Sequence, residues 1–231
     1  MKHTQNAIKS DAKEFDTIMC QLIPQYMWMI RTMVDAIPFE KAKPIKVLNL
    51  GHRDATETRV IAEAFPNASF SCLDMLPRMI VMPKTIEDME NILGRPGEST
   101  SAFSKYEFPF GRDVVVSPFA FHQLLNNAER LFMYQKIFDS LRNGGCFINI
   151  DEVLGPTQYI DRLYVSRWTE FMRKTASEDT IRSELLKREK TLKNLATLDD
   201  NINYIKDVGF ENIEVICKYF GYVIYFCMKP S

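Results

Sequence analysis

The sequence is poor in the residues that build metal centres and disulfide frameworks. Its 231 residues include only three histidines, and the five cysteines are odd in number. Most of these cysteines lie inside apolar runs, so we expect buried free thiols in a reducing cytoplasm. Because a spaced cluster of carboxylates is also missing, the sequence predicts no metal site.

An excess of charge of one sign and a long hydrophobic run are missing as well. The chain has 29 lysines and arginines against 30 aspartates and glutamates, so its net charge gives no reason to expect nucleic acid or an anionic membrane as a partner. The longest apolar run, from Tyr219 to Met228, is too short to span a bilayer. The polar amino terminus has no signal-peptide pattern. These absences predict a cytoplasmic globular protein.

The sequence does contain a βαβ unit of about 30 residues. A β-branched and leucine-rich run ends in Gly51, and apolar residues at helical spacing follow from Glu57 to Phe65. A second strand, from Ser69 to Leu73, ends in the acid Asp74. A strand, a glycine turn, a helix and a second strand with a terminal acid are typical of one half of a nucleotide-binding sheet.

The alternation of strands and helices continues through the rest of the chain. Val114 to Ser117 predicts a central buried parallel strand, and Asn126 to Leu141 predicts an amphipathic helix that Asn143 to Gly145 ends. Cys146 to Ile150 predicts the next strand. At the end, a helix from Asn201 to Val208 precedes two strands, Phe210–Cys217 and Phe220–Met228.

This order of elements resembles the class I S-adenosylmethionine-dependent methyltransferases of the small-molecule type, which include relatives of the carboxy-S-adenosylmethionine synthases. The resemblance implies a Rossmann-like α/β fold: a doubly wound, mostly parallel sheet of about seven strands with an antiparallel strand at its carboxyl-terminal end. The motifs that carry it are Val47–Gly51, Leu73–Met75, Asp113–Ser117, Phe119–Leu124 and Leu141–Ile148.

The resemblance covers nearly the whole chain and implies one methyltransferase-like domain over residues 1–231. Residues 1–44 would form a helical lid and residues 45–154 the nucleotide-binding core. Residues 155–196 would form a helical insertion on the substrate side, and residues 197–231 the closing helix and strand pair.

The cofactor loop departs from the family pattern. Where the family has an acid and three glycines, this chain has Asn49, Gly51, Arg53 and Ala55, and the acid expected after strand three is Ala102. Of the three family acids only Asp74 remains. An arginine in this loop brings a cation close to the place where the sulfonium would lie, and like charges repel.

The resemblance and the topology together give candidate site residues, because open α/β sheets bind ligands outside the carboxyl ends of their strands. S-adenosylmethionine is expected against Asn49, Gly51, His52, Arg53, Asp74, Met75, Ser117 and Pro118. Substrate is expected against Tyr26, Arg167, Trp168 and Phe171. The candidate catalytic groups are His122, Asp151 and Tyr26.

Each candidate has a structural alternative. Tyr26 and Trp28 could only pack the lid against the core. Arg167, Trp168 and Phe171 could only be part of the core packing. A capping or packing role is open for His122, and Asp151 with Glu152 could be a solvated pair at the start of a loop. The charge-dense run from Arg182 to Lys193 predicts a solvated helix face.

Two further predictions concern the lid and the region after Asp74. Pro24 splits the apolar segment from Phe15 to Ile37 into two helices. Met19, Met27, Met29 and Met33 suit an adaptable surface, on the lid or between the subunits of a homodimer or heteromer. After Asp74 we expect a helix start at Leu76–Met79 and strand three at Ser99–Phe103.

Three functions follow from the sequence. The one we favour is an S-adenosylmethionine-dependent methyltransferase that acts on a small molecule. The second is a catalytically inactive methyltransferase-like subunit or scaffold, as the altered loop suggests. The third is an enzyme that uses an anionic S-adenosylmethionine analogue, whose carboxylate or phosphate would pair with Arg53.

Overall fold

The structure, a computed structural model, describes residues 15–51, 56–73, 79–81, 107–123 and 126–231. Its helices are α1 (residues 15–22), α2 (Tyr26–Asp35), α3 (Thr56–Ala64), α4 (Asn127–Ser140), α5 (Gln158–Thr175), α6 (Glu178–Thr191) and α7 (Leu198–Val208). Its strands are β1 (Lys46–Leu50), β2 (Ser69–Leu73), β3 (Met79–Val81), β4 (Arg112–Pro118), β5 (Leu141–Glu152), β6 (Glu211–Tyr219) and β7 (Tyr222–Met228). Two 3₁₀ turns lie at Phe121–Gln123 and Leu192–Asn194.

Within the described ranges the strands form one seven-stranded sheet in the order β3-β2-β1-β4-β5-β7-β6. Strand β1 pairs in parallel with β2 and β4, and β4 pairs in parallel with β5. Strand β7 is antiparallel to both β5 and β6, and β3 is antiparallel to β2. The order reverses between β1 and β4, and such a switch point opens a crevice at the carboxyl ends of the strands. The predicted mostly parallel α/β sheet is confirmed.

The strand sequences alternate between two buried faces. Val114 and Val116 join the core that packs under α2 and α3, whereas Val115 joins the core under α4 and α7. All three valines are fully buried. A side-chain period of two places successive residues on opposite faces, so a run of β-branched residues suits a strand covered on both sides.

The lid segment splits where the sequence predicts it. Helix α1 ends before Pro24, and Gln25 takes a left-handed backbone conformation with φ 60° before α2 begins. Met29 and Met33 are buried in the core under α2, so these two methionines pack against the sheet and do not form an outer surface.

Among the described helices, α4, α5, α6 and α7 each begin with a residue whose side chain accepts a hydrogen bond from the first turn, and one predicted helix end is wrong. Thr197 and Asp200 form a capping box for α7, and Gly209 ends that helix with φ 100°. Helix α4, however, already ends at Ser140, because Leu141 is extended and opens β5. The glycines at 144 and 145 therefore lie inside β5 and do not end a helix. Leu131 and Phe132 of the amphipathic helix α4 are exposed.

The prediction of a helix start at Leu76–Met79 is wrong at Met79, which begins strand β3. Three apolar residues carry too little periodicity to distinguish a strand from a helix, and here the backbone pairs with Ser71–Leu73. The predicted strand at Ser99–Phe103 lies outside the described residues. The turn between the last two strands is at Phe220–Gly221, so the first strand continues to Tyr219, beyond its predicted end at Cys217.

Among the helices that the structure describes, none combines the length and the apolar character needed to cross a membrane.

Candidate active site

The carboxyl ends of β1 and β4 meet at a glycine turn. Gly51 has φ +92°, and a Cβ added there would lie 2.7 Å from the Cβ of Ala120. Only glycine accepts this conformation and this contact without strain. The turn therefore brings the start of the loop after β1 against the segment that follows β4.

A neutral cluster lies at the end of β1 and consists of Asn49, Thr58 and Cys72. The amide Nδ2 of Asn49 donates to Thr58 Oγ1 over 3.0 Å, and Thr58 Oγ1 shares a 3.6 Å hydrogen bond with Cys72 Sγ. Burial raises the pKa of the Cys72 thiol to about 12, so the thiol stays protonated. Asn49 Oδ1 is buried and finds no hydrogen-bond partner among the described residues.

The lid helices are tied to α3, which begins directly after the cofactor loop. Asp16 of α1 accepts from Thr56 Oγ1 over 2.8 Å and pairs with Arg59 over 3.4 Å. Tyr26 of α2 is buried and donates to Glu57 Oε1 over 3.4 Å. These contacts fix the lid over the edge of the sheet.

Aromatic rings line this edge next to the glycine turn. Phe119 takes a left-handed conformation with φ 53°, and its amide donates to Ile150 O over 2.6 Å. Its ring lies 5.6 Å from the Tyr26 ring and 6.5 Å from the Tyr222 ring, centroid to centroid. Burial raises the pKa of Tyr222 well above its ordinary value, so this hydroxyl is neutral.

A histidine–aspartate pair stands at the ends of β4 and β5. His122 Nδ1 lies 2.8 Å from Asp151 Oδ1, with 26% of the His122 side chain and 2% of the Asp151 side chain exposed. Burial alone would lower the His122 pKa, but the hydrogen bond and charge of Asp151, together with the charge of Glu152, outweigh it and raise the pKa. The alternative of a solvated pair at Asp151 and Glu152 is therefore wrong for Asp151.

An ion triad continues from this pair along the substrate side. Arg188 Nε donates to Glu152 Oε1 over 2.6 Å, and its Nη2 donates to Asp161 Oδ1 over 2.9 Å. Only 9% of the Arg188 side chain is exposed, so the prediction of a solvated face for Arg182–Lys193 is wrong at this residue. Burial raises the Glu152 pKa, although Arg188 and His122 oppose this effect. We call His122, Asp151, Glu152, Asp161 and Arg188 the charged cluster.

A narrow crevice lies between the lid and the charged cluster. Its walls are formed by Pro24 from the lid, Tyr164 and Trp168 from α5, Tyr222 from β7, and the Glu152–Arg188 pair. Its cavity volume of about 10 Å³ is close to the smallest space that holds one water molecule. The lid and α5 therefore close over this part of the edge.

The structure brings together some of the predicted site residues and separates others. Asn49, Gly51, Ser117 and Pro118 lie at the ends of β1 and β4. Tyr26 packs against Phe119, which follows Pro118, and His122 bonds to Asp151 near the end of β5. Trp168 lines the crevice and donates from Nε1 to Leu22 O over 2.7 Å, Phe171 is half-buried, and Arg167 is exposed and pairs with Glu170. His52, Arg53, Asp74 and Met75 lie outside the described residues.

Sequence reasoning missed Thr58, Asp161 and Arg188. Thr58 lies on the face of α3 that packs on β1. The only sign of this in the sequence is that Thr58, a polar residue, stands at a position of the helix where the spacing predicts an apolar one. Arg188 stands in a charge-dense run, where nothing local distinguishes a buried arginine from a solvated one. In the described part of the chain, histidine, cysteine and carboxylate side chains do not gather in threes that could hold a metal ion.

No family model matches this chain. It is 24% identical over 225 residues to the carboxy-S-adenosyl-L-methionine synthase of Helicobacter hepaticus, covering 91% of this chain and 89% of the relative. It is 21% identical over 222 residues to the synthase of the same name from Nautilia profundicola, covering 94% of this chain and 92% of the relative. The resemblance seen in the sequence therefore extends over the length of these relatives.

Solved structures show the same fold. Human N-acetylserotonin methyltransferase in complex with S-adenosylmethionine matches 94% of this chain with a TM-score of 0.54 and 14% identity. This chain spans 57% of that protein's chain. The fold is thus that of the class I S-adenosylmethionine-dependent methyltransferases.

Proposed function

We propose that this chain, which has a class I methyltransferase fold, is an S-adenosylmethionine-dependent enzyme that methylates a small molecule. The observation that carries the proposal is the carboxamide oxygen of Asn49, buried without a partner in the described chain, beside the Gly51 turn. A buried acceptor left unpaired destabilises the fold unless a ligand or water bonds to it. The ammonium of the methionyl group is a donor suited to an amide oxygen.

The described residues around this oxygen fit such a cofactor. Gly51 lets the backbone bend at the mouth of the sheet, and the Phe119 and Tyr26 rings offer apolar surface beside it. We propose that Asn49, Gly51, Ser117 and Pro118 bind the cofactor, together with His52, Arg53, Asp74 and Met75. When bound, S-adenosylmethionine supplies an electrophilic methyl group.

His122 is the residue we propose as proton acceptor. Asp151 holds the Nδ1 side of the ring, which leaves Nε2 as the basic nitrogen of the neutral imidazole. Because the raised pKa keeps part of the imidazole protonated near neutral pH, we expect activity to rise as the pH increases through that pKa. Trp168, Tyr26 and Phe171 would exclude water from the substrate, and Arg167 would contact it from the rim.

Isothermal titration with S-adenosylmethionine and S-adenosylhomocysteine tests the assignment. We expect micromolar binding, weakened at least tenfold by Asn49→Ala and unchanged by Asn67→Ala, a surface asparagine whose amide bonds to Ala42 O. If the chain binds neither ligand at millimolar concentration, the enzyme assignment fails and the subunit or scaffold function stands.

The names of the relatives favour a second candidate, a reaction that makes or uses a carboxylated S-adenosylmethionine. A carboxylate on the cofactor needs a cation, and in the described chain Arg188 is already bonded to two carboxylates. Arg53, at the middle position of the cofactor loop, would supply that cation. In this case Arg53→Gly should weaken binding of the carboxylated cofactor and strengthen binding of S-adenosylmethionine. If Arg53→Gly changes both affinities equally, the second candidate is wrong.

We also propose that the chain is a single domain that works in the cytoplasm as a dimer through α1 and α2. Ile18 and Trp28 are exposed on these helices, and exposed large apolar residues favour association. Sedimentation analysis should show a dimer for the native chain and a monomer for Trp28→Glu, with Tyr159→Glu, an exposed site on α5, as control.

A further inference from the structure

Arg130 of α4 is a buried cation without an acidic partner in hydrogen-bond reach among the described residues. Only 1% of the residue is exposed. Its Nη2 donates to Asn194 O over 2.6 Å and its Nη1 donates to Asn201 Oδ1 over 3.3 Å. Both acceptors are neutral, and Nε finds no acceptor in the described chain. A buried charge that is not balanced destabilises a fold strongly, so a balancing negative charge is expected nearby.

A hydrogen-bond network leads from Arg130 to the strand that carries Asp151. Asn201 Oδ1 also accepts from the Tyr134 hydroxyl over 2.9 Å, and this hydroxyl shares a 2.7 Å hydrogen bond with the hydroxyl of Tyr225. Asn149 Nδ2 donates to the Tyr225 hydroxyl over 2.6 Å. Asn149 and Asp151 are two residues apart on β5 and so project from the same face of the sheet.

His122 lies close to the same network. The ring of Phe121, its neighbour in the 3₁₀ turn, is 5.0 Å from the Tyr134 ring, and Tyr134 lies one helical turn after Arg130. Among the described residues, the charged groups that act on His122 are Asp151 and Glu152 from β5, and Arg130 from α4. The charge of Glu152 is in turn opposed by Arg188 from α6. Arg130 is thus the cation that opposes protonation of this imidazole from inside the core.

We propose that Arg130 is a positioning residue for the His122–Asp151 pair: its buried positive charge balances Asp151 through the low-dielectric core and so favours the neutral, proton-accepting imidazole. The proposal takes from the proposed function only the role of His122 as proton acceptor. Charges act over longer distances in a protein interior than in water, because the interior screens them less. Arg130 therefore influences the imidazole without touching it.

The test reads the imidazole directly, with no cofactor present. The chain has three histidines, so their ring signals can be followed by NMR during a pH titration, and His122→Gln identifies the signal of interest. The decisive variant is Asn201→Asp, which keeps an oxygen acceptor for Arg130 and Tyr134 but adds a negative charge that cancels that of Arg130. We expect the His122 pKa to rise by up to about 1, a usual spread for histidines in folded proteins.

Two further variants separate charge from packing. Asn201→Ala removes the same hydrogen bonds without adding charge and should leave the His122 pKa unchanged. Arg130→Met should raise it as Asn201→Asp does, provided that the variant folds. An unchanged His122 pKa in a folded Asn201→Asp variant overturns the proposal, as does an equal shift in Asn201→Ala. Because no ligand is needed, these outcomes are independent of whether the chain binds S-adenosylmethionine.

Discussion

The two polar groups at the carboxyl edge of the sheet differ in kind. The neutral cluster at β1 is an amide, a hydroxyl and a protonated thiol joined by two hydrogen bonds. The charged cluster at β4 and β5 contains an imidazole, three carboxylates and a guanidinium. A cationic cofactor is tolerated beside neutral acceptors, whereas proton transfer needs groups that change charge. This difference is the basis on which we propose cofactor binding for the first cluster and proton transfer for the second.

The largest expected effect comes from breaking the charged cluster at its centre. Arg188→Met leaves Glu152 and Asp161 without their common partner, and the loss of one member of a buried ion network costs about 3–5 kcal/mol. Urea unfolding should show this loss of stability. The control, Arg167→Met, removes an exposed pair with Glu170 and should cost less than about 1 kcal/mol. Equal effects would mean that the triad is no more than a surface contact.

The glycine turn beside the neutral cluster should be nearly as sensitive. Gly51→Ala forces a left-handed backbone on alanine, which costs about 1–3 kcal/mol, and adds a Cβ 2.7 Å from the Cβ of Ala120. Gly111→Ala has a similar φ of +72° but meets nothing within 4 Å, so it should show the backbone effect alone. Unfolding and titration with S-adenosylmethionine should both separate the two variants.

Within the neutral cluster, Thr58→Val should cost about 1–3 kcal/mol, because it leaves the buried Asn49 amide without its acceptor. Thr191→Val removes a hydroxyl that only bonds to carbonyls of its own helix and should change stability by less than about 0.5 kcal/mol. Chemical unfolding of both variants is the measurement. If Thr58→Val leaves the free energy of unfolding unchanged, the Asn49 amide must donate to another acceptor.

The smallest effect concerns pH. Because the folded pKa of His122 lies above its ordinary value of 6.5, the pair stabilises the fold below about pH 6.5 and loses this contribution as the pH rises through the folded pKa. Asp151→Asn should remove most of this dependence, because the hydrogen bond and charge of Asp151 are the main causes that raise the His122 pKa. Unfolding curves collected from pH 5.5 to 8.5 would show it. A steeper loss of stability with rising pH in the variant would show that the His122–Asp151 pair does not stabilise the fold at low pH.

The sequence predicted the sheet because its signals are local. Three consecutive valines, a glycine at the end of β1 and the Thr197–Asp200 cap each specify their own element. The charged cluster could not be predicted in this way, because Glu152, Asp161 and Arg188 come from three elements and meet only after the chain folds. Asp151 and His122 were predicted as separate candidates, and nothing local shows that they form a pair.

The boundaries that failed have a similar cause. Helix α4 stops before Leu141 because Leu141 pairs with Arg112 as the first residue of β5. This pairing between strands overrides the helical spacing of the apolar residues in the sequence. Met79–Val81 forms a strand because its backbone pairs with the free edge of β2. Local propensity is a weak guide wherever a neighbouring strand decides the backbone.

The last carbonyls of α1 are satisfied by α5. Trp168 Nε1 donates to Leu22 O and Thr175 Oγ1 donates to Gln21 O, across 146 and 154 residues of sequence. During synthesis on the ribosome, α1 therefore emerges long before the two side chains that donate to its last carbonyl groups. A nascent chain that ends ahead of α5 therefore lacks both donors, so the carbonyl groups of Gln21 and Leu22 must bond to water until α5 is made.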